Sequence, residues 1–213
     1  MKYEITDETI EVFGVTLRRI KALVDFADVN AGDMGGFIEA EKNLSQVSGN
    51  AWVYGNAWVY GDAQVSGNAR VYGDAQVSGN AWVYGNALVY GDARVYGDAL
   101  VYGNARVSGD AQVSGNALVY GDARVYGDAR VYGNARVSGN AQVNFDTTEI
   151  KWIVVGQFGE YGRYVTVTKT GTIFCGCFEG GIEQFENAVS EKYGSDFGAY
   201  ADCITIIKNY IAQ

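Results

Sequence analysis

The sequence predicts a mainly β protein: a parallel β-solenoid over residues 45–146, a small N-terminal β cap over residues 1–44, and a C-terminal α+β domain over residues 147–213. Three observations predict it. Val recurs every six residues from Val47 to Val143, seventeen valines in register without a slip. The unit between them keeps one pattern, as in Val53-Tyr54-Gly55-Asn56-Ala57-Trp58. After Asp146 the period stops and apolar residues fall first at strand and then at helix spacing. A strict internal period outranks local propensity as evidence for a repeat architecture.

Each hexapeptide divides into a strand and a corner. In the extended segment Ala-x-Val-Tyr, alternate side chains share a face, so Ala and Val point one way and the variable residue and Tyr the other. Ala and Val form the interior. Gly followed by Asn or Asp tolerates positive φ, which lets the chain turn where a β-branched residue would not. Burying one Val yields about 1.5–2 kcal/mol, while ordering each backbone residue costs about 1–2 kcal/mol, so one hexapeptide cannot fold alone. Stacked coils share one interior and pair their backbones, and stability becomes a sum of neighbour terms.

This pattern of small residue, any residue, aliphatic residue and turn resembles the hexapeptide-repeat proteins. The resemblance implies a left-handed parallel β-helix with triangular coils of three hexapeptides. A narrower likeness includes the flank: Gly35-Gly36-Phe37-Ile38-Glu39, then Glu41-Lys42-Asn43-Leu44-Ser45, leading into Gly-Asn-Ala-x-Val-Tyr repeats. In this the chain is similar to uncharacterised proteins encoded by phages and prophages of gut bacteria. That likeness implies the bacterial host cytoplasm as the compartment and implies no particular activity.

Three hexapeptides per coil sort the outward residues into columns. The first face runs Gln46 with Ser48, Gln64 with Ser66, Trp82 with Tyr84, Leu100 with Tyr102, Leu118 with Tyr120, and Arg136 with Ser138. Its middle is apolar and its ends polar, the signature of a buried contact. Trp82, Tyr84, Leu100, Tyr102, Leu118 and Tyr120 are therefore the candidate oligomer interface, with a homotrimer about an axis parallel to the prism implied by the hexapeptide-repeat likeness. A competing expectation is that the C-terminal domain folds back over this stripe. The second face carries Trp52 with Tyr54, Arg70 with Tyr72, Leu88 with Tyr90, Arg106 with Ser108, Arg124 with Tyr126, and Gln142 with Asn144; the third carries Trp58 with Tyr60, Gln76 with Ser78, Arg94 with Tyr96, Gln112 with Ser114, and Arg130 with Tyr132. Trp52 and Trp58 lie in the first coil, where the cap should cover an open solenoid end.

The corner column after the second face runs Asn56, Asp74, Asp92, Asp110, Asp128, Asp146. Carboxylates at ~4.8 Å repel by nearly 1 kcal/mol per pair in water, so something should offset them. A row of cations would do so. The favoured expectation is a lattice of solvated salt bridges, Arg70, Arg106 and Arg124 to the Asp four residues on, and Arg94 and Arg130 to the Asp two residues back. The other corner columns mix Asn and Asp, where stacked amides can form ladders.

Composition narrows the function. A net charge of −9 disfavours general nucleic-acid or anionic-membrane binding. The chain contains no His, hence no Ser-His or Cys-His pair and not the commonest metal ligand. No apolar run approaches a signal peptide or a membrane span, and three cysteines fit a reducing cytoplasm. Cys175, Cys177 and Cys203 lack a fourth ligand and read as buried small hydrophobes rather than a zinc site, with Cys175 and Cys177 on the same side of one strand. Glu179-Gly180-Gly181 lacks the Lys of a P-loop and reads as a turn. No cofactor is called for.

The flanks read as follows. Residues 15–23 form a strand and residues 31–36 a turn. Arg18, Arg19 and Lys21 make the densest basic cluster, but five basic against nine acidic residues in 1–44 favour a solvated strand face over a phosphate site. Residues 151–155, 163–169 and 172–178 read as three strands of an antiparallel meander. Two amphipathic helices follow: in the first, Ile182, Phe185, Val189 and Tyr193 line one apolar side, and in the second, Tyr200, Cys203, Ile204, Ile207, Tyr210 and Ile211 do so.

The resemblance admits an acyltransferase, but that family ordinarily uses a His base between protomers, and the repeats carry no inserted loop to shape an acceptor pocket. Ice binding favours Thr rows, and the repeats contain no Thr. Interleaved Arg weakens acidic mimicry of DNA. What fits best is a non-catalytic, self-associating scaffold whose terminal domain engages a host or phage protein with avidity. The alternative is sequestration of a small anionic ligand such as a nucleotide signal in the cleft between prisms, with Arg70, Arg94, Arg106, Arg124 and Arg130 for charge and Tyr72, Tyr90 and Tyr96 for stacking.

Overall fold

The computed structural model describes residues 1–47, 49–143, 153–158, 163–167, 171–195 and 197–211. Of the residues assigned above, Ser48, Asn144, Asp146, Lys151, Trp152, Thr168 and Lys169 lie outside this set, as does the side chain of Tyr210. The repeats form a parallel β-solenoid of about six coils. Each hexapeptide contributes a two-residue strand, from Trp52–Val53 to Gln142–Val143. Register partners are one coil apart, Leu100 pairing with Trp82 on one side and Leu118 on the other. Three hexapeptides therefore complete each coil, and the three faces are sheets of five, six and eight strands.

The interior is the Ala and Val pair of every repeat, buried from Ala51 and Val53 to Ala141 and Val143. Backbone hydrogen bonds run coil to coil, as from the Leu100 N–H to the Ala117 carbonyl at 2.9 Å and from the Tyr102 N–H to the Val119 carbonyl at 2.9 Å. At Gly97 the corner needs φ +72°, and a Cβ there would lie 2.9 Å from the Gly115 nitrogen of the next coil. Glycine thus serves both the turn and the close stacking of corners.

The first repeat departs from the period. Val47 is 96% exposed, while Leu44 is fully buried and bridges in parallel to Val65, so Leu44 takes the interior place that counting by six assigns to Val47. Gln46 consequently leaves the first-face column. Its Oε1 accepts hydrogen bonds from the Lys2 and Tyr3 N–H groups at 2.9 and 3.2 Å, and its Nε2 donates to the Tyr3 carbonyl at 3.0 Å. One side-chain amide pairs with the first strand as a backbone would. Buried Asn43 closes the same corner by donating to the Gly61 and Ala63 carbonyls.

The N-terminal residues form a hairpin of Tyr3–Val12 and Val15–Ala22, and then the strand Met34–Ile38, which pairs in parallel with Trp58–Val59 and so extends the third face. The turn expected over residues 31–36 is shorter: Met34, Gly35 and Gly36 belong to that last strand. The two glycines are there because there is no room for more. A Cβ on Gly36 would meet the Ala57 carbonyl oxygen at 2.3 Å and Val53 Cγ1 at 2.6 Å. Trp52 is buried under this cap, edge-on to Tyr3 and Phe26, and Trp58 stacks on Phe13. Arg19 is spent structurally: it donates to the Gly35 carbonyl at 2.8 Å, pairs with Glu8 and lies over the Phe37 ring.

The C-terminal residues form a four-stranded antiparallel meander, Ile153–Phe158, Arg163–Val167, Ile173–Cys175 and Phe178–Gly180, with helices Ile182–Tyr193 and Ala201–Ile211. The single strand expected over residues 172–178 is two, because Gly176 at φ +61° turns the chain back. Cys175 is therefore buried in a strand and Cys177 exposed in the turn, not side by side on one face. Burial pushes the Cys203 thiol up to about 12, with a further rise from nearby Cys175, which marks an inert core thiol rather than a thiolate ligand. Phe185, Val189, Tyr200, Cys203, Ile204 and Ile207 make this unit's core, whereas Phe174 joins the core of the solenoid. Among the described residues no helix is long and apolar enough to cross a membrane.

Candidate binding surfaces on the solenoid faces

The structure brings the six candidate interface residues together on the first face. Trp82, Leu100 and Leu118 are consecutive register partners. Tyr84, Tyr102 and Tyr120 stack beside them with centroids 5.0 and 5.1 Å apart and planes within 4° of parallel. Parallel in-register strands impose that spacing and leave the rings offset, the favourable arrangement for aromatic pairs. Trp82 remains 47% exposed. Among the described residues, the C-terminal strand Ile153–Phe158 lies against Arg136–Val137, the last strand of this face.

The candidate ligand residues divide between the other two faces. Arg70, Arg106, Arg124, Tyr72 and Tyr90 lie on the second, and Arg94, Arg130 and Tyr96 on the third. On the second face two cavities follow one another along the prism. The first, about 380 Å³, is lined by Asp28, Tyr54, Arg70, Tyr72 and Leu88. Its charge is already neutralised, since Asp28 from the cap holds the Arg70 guanidinium through both oxygens at 2.8 and 3.0 Å and accepts from the Tyr54 hydroxyl at 3.1 Å. Burial and that hydrogen bond raise the Tyr54 hydroxyl to about 12 against the opposing pull of Arg70. The second cavity, about 320 Å³, is lined by Tyr90, Arg106, Ser108, Arg124, Tyr126 and Gln142. Asp28 could not be found from the sequence, because nothing local ties its loop to a repeat.

The salt-bridge lattice expected along the corners does not form. Among the described residues Arg94, Arg106, Arg124, Arg130 and Arg136 have no carboxylate partner, and Arg70 pairs with Asp28 rather than Asp74. The arginines stand at mid-face while the carboxylates stand at corners, and bridging them would immobilise long exposed side chains for little gain. Amide ladders form instead. Asn68, Asn86 and Asn104 each donate to the next side chain along, ending on Asp122, at 3.1, 3.1 and 3.0 Å. The column Asp74, Asp92, Asp110 and Asp128 lacks such donors between its members. Replacing Asp110 by Asn removes two repulsions and adds a donor, as Asn56 donates to Asp74. The expected result is a gain of about 1 kcal/mol at ~0.01 M salt that shrinks at ~1 M, read from thermal melts.

Two-residue strands, positive-φ glycine corners and an unbroken Ala-Val interior define a repeat β-solenoid. Residues 45–61, 63–79, 75–91, 81–97, 87–102, 111–127, 123–139 and 129–144 match the family model described as YdcK beta solenoid repeat, so the repeat segment is similar to that family. No curated protein matches the chain.

Proposed function

We propose that the protein is a non-catalytic scaffold that self-associates through its first face, as a homotrimer of parallel prisms in the bacterial cytoplasm, and presents its C-terminal domains together to a host or phage protein. The observation that carries this reading is the stripe of Trp82, Leu100 and Leu118, aligned in register and flanked by a tyrosine stack, with Trp82 47% exposed. A patch of this kind, bounded by Gln64 and Arg136, favours a flat apolar partner, and a second copy offers the same stripe at the same spacing. Gathering three terminal domains on stiff arms would raise their effective concentration at a shared target. The absence of His gives catalysis no obvious base.

Sedimentation equilibrium tests the assembly. The wild-type chain is expected at three times the monomer mass, and the double variant Leu100→Arg with Leu118→Arg at the monomer mass, because two buried charges at a hydrophobic contact are costly. Gln112→Arg, on the third face, should leave the mass unchanged. A monomeric wild type, or an undiminished mass in the double variant, would overturn the proposal.

A further inference from the structure

The second face carries a break in an aromatic column. Tyr54, Tyr72, Tyr90 and Tyr126 occupy outward positions one coil apart, except that Ser108 stands between Tyr90 and Tyr126. The rings of Tyr72 and Tyr90 are parallel within 3° with centroids 4.9 Å apart, so the stack runs into the gap and stops there. Two coils, ~9.6 Å, separate the positions of Tyr90 and Tyr126. That is the room for one further flat ring at the offset spacing the column already uses.

Beside the gap stand Arg106 and Arg124, register partners on adjacent strands. Neither has a carboxylate partner among the described residues, in contrast to Arg70 two coils from Arg106. The two like charges at one coil's spacing favour an anion between them. Gln142 closes the far end, within 3.5 Å of the Tyr126 hydroxyl, and Ser108 forms a buried polar floor. The third face provides an internal contrast. It too has serines between tyrosines, but Gln112 separates Arg94 from Arg130, so no pair of arginines is stacked beside a gap.

We propose that this notch binds a planar heteroaromatic ring carrying a phosphate, the chemistry of a mononucleotide. The ring takes the place of the missing phenol between Tyr90 and Tyr126, and the phosphate is held by Arg106 and Arg124. Ser108 and Gln142 supply hydrogen bonds to the ring or sugar. The site lies on one prism and does not depend on the self-association proposed above.

Calorimetric titration with adenosine 5′-monophosphate tests it, with adenosine and ribose 5-phosphate as probes of each half. The monophosphate is expected to bind the wild-type chain, and each half-probe at least about tenfold more weakly. Ser108→Tyr places there the residue found on both sides of the gap, at Tyr90 and Tyr126, so it should fold normally while occupying the notch, and is expected to lose at least about tenfold in affinity. Arg106→Gln with Arg124→Gln, both exposed, should lose as much and remove the salt dependence. Far-ultraviolet circular dichroism checks that both variants keep the wild-type fold. Absence of binding at millimolar monophosphate, an unaltered affinity in either variant, or a half-probe binding as well as the whole would overturn the proposal.

Discussion

Substitution of Gly36 by alanine is expected to detach the N-terminal cap from the solenoid. The new Cβ would sit 2.3 Å from the Ala57 carbonyl oxygen, the atom that accepts the Phe37 N–H at 2.9 Å. Backbone cannot move aside as a flexible side chain would, so the strand Met34–Ile38 must shift and lose its pairing with Trp58–Val59. Overpacking together with lost buried hydrogen bonds should cost at least about 3 kcal/mol. Because coil stability is a sum of neighbour terms, the damage should stay local. Hydrogen exchange should show faster amides over residues 1–59 and unchanged ones beyond the third coil; an unaltered cap would refute the account.

A second large effect is expected from Trp52→Ala. Trp52 is 1% exposed and packs against Tyr3, Phe26 and Tyr54 at centroid distances of 6.0, 5.4 and 6.5 Å. Removing a fully enclosed indole should cost about 3–5 kcal/mol. The same substitution at Trp82, at the equivalent repeat position but half exposed, should leave the isolated chain within about 1 kcal/mol of wild type. Its effect should appear in sedimentation instead, as weakened association. Equal losses of thermal stability at the two positions would contradict this division of labour.

These two tryptophans show how far the sequence could be read. Counting by six places both at outward positions, and both are outward in the sense of the strand. What the count cannot express is that the cap over residues 1–44, of different pattern, returns to cover one of them. The Ala-Val interior was legible because it follows from a local rule applied many times; the coil length, and with it the face columns, rested on the likeness to hexapeptide-repeat proteins. The exceptions all involve a residue outside that rule. Leu44 takes the interior place of Val47, and Gln46 is diverted to Tyr3. Gly176 splits a strand in two and sends Cys177 to the surface. Asp28 reaches Arg70 across forty-two positions of chain.

The candidate sites follow the same division. The apolar stripe and the stacked arginine pair could be listed by column arithmetic. The gap at Ser108 was present in that list but carried no meaning until the parallel rings of Tyr72 and Tyr90 gave the column a spacing. The expected ion-pair lattice failed because sequence separation does not report which way a side chain leaves the prism.

The strand Tyr3–Val12 has a consequence for polymerisation. It is the outermost strand of the eight-stranded sheet and carries Glu4, Asp7, Glu8 and Glu11. A solenoid ending in a bare coil would template its own continuation, copy upon copy, into a fibre. Here growth from that margin meets antiparallel backbone and four acidic side chains, of which Glu8 and Glu4 are held by Arg19 and Lys21 of the next strand. Filaments are thereby discouraged at this tip, and crowding of the protein at high concentration should yield bounded particles rather than threads.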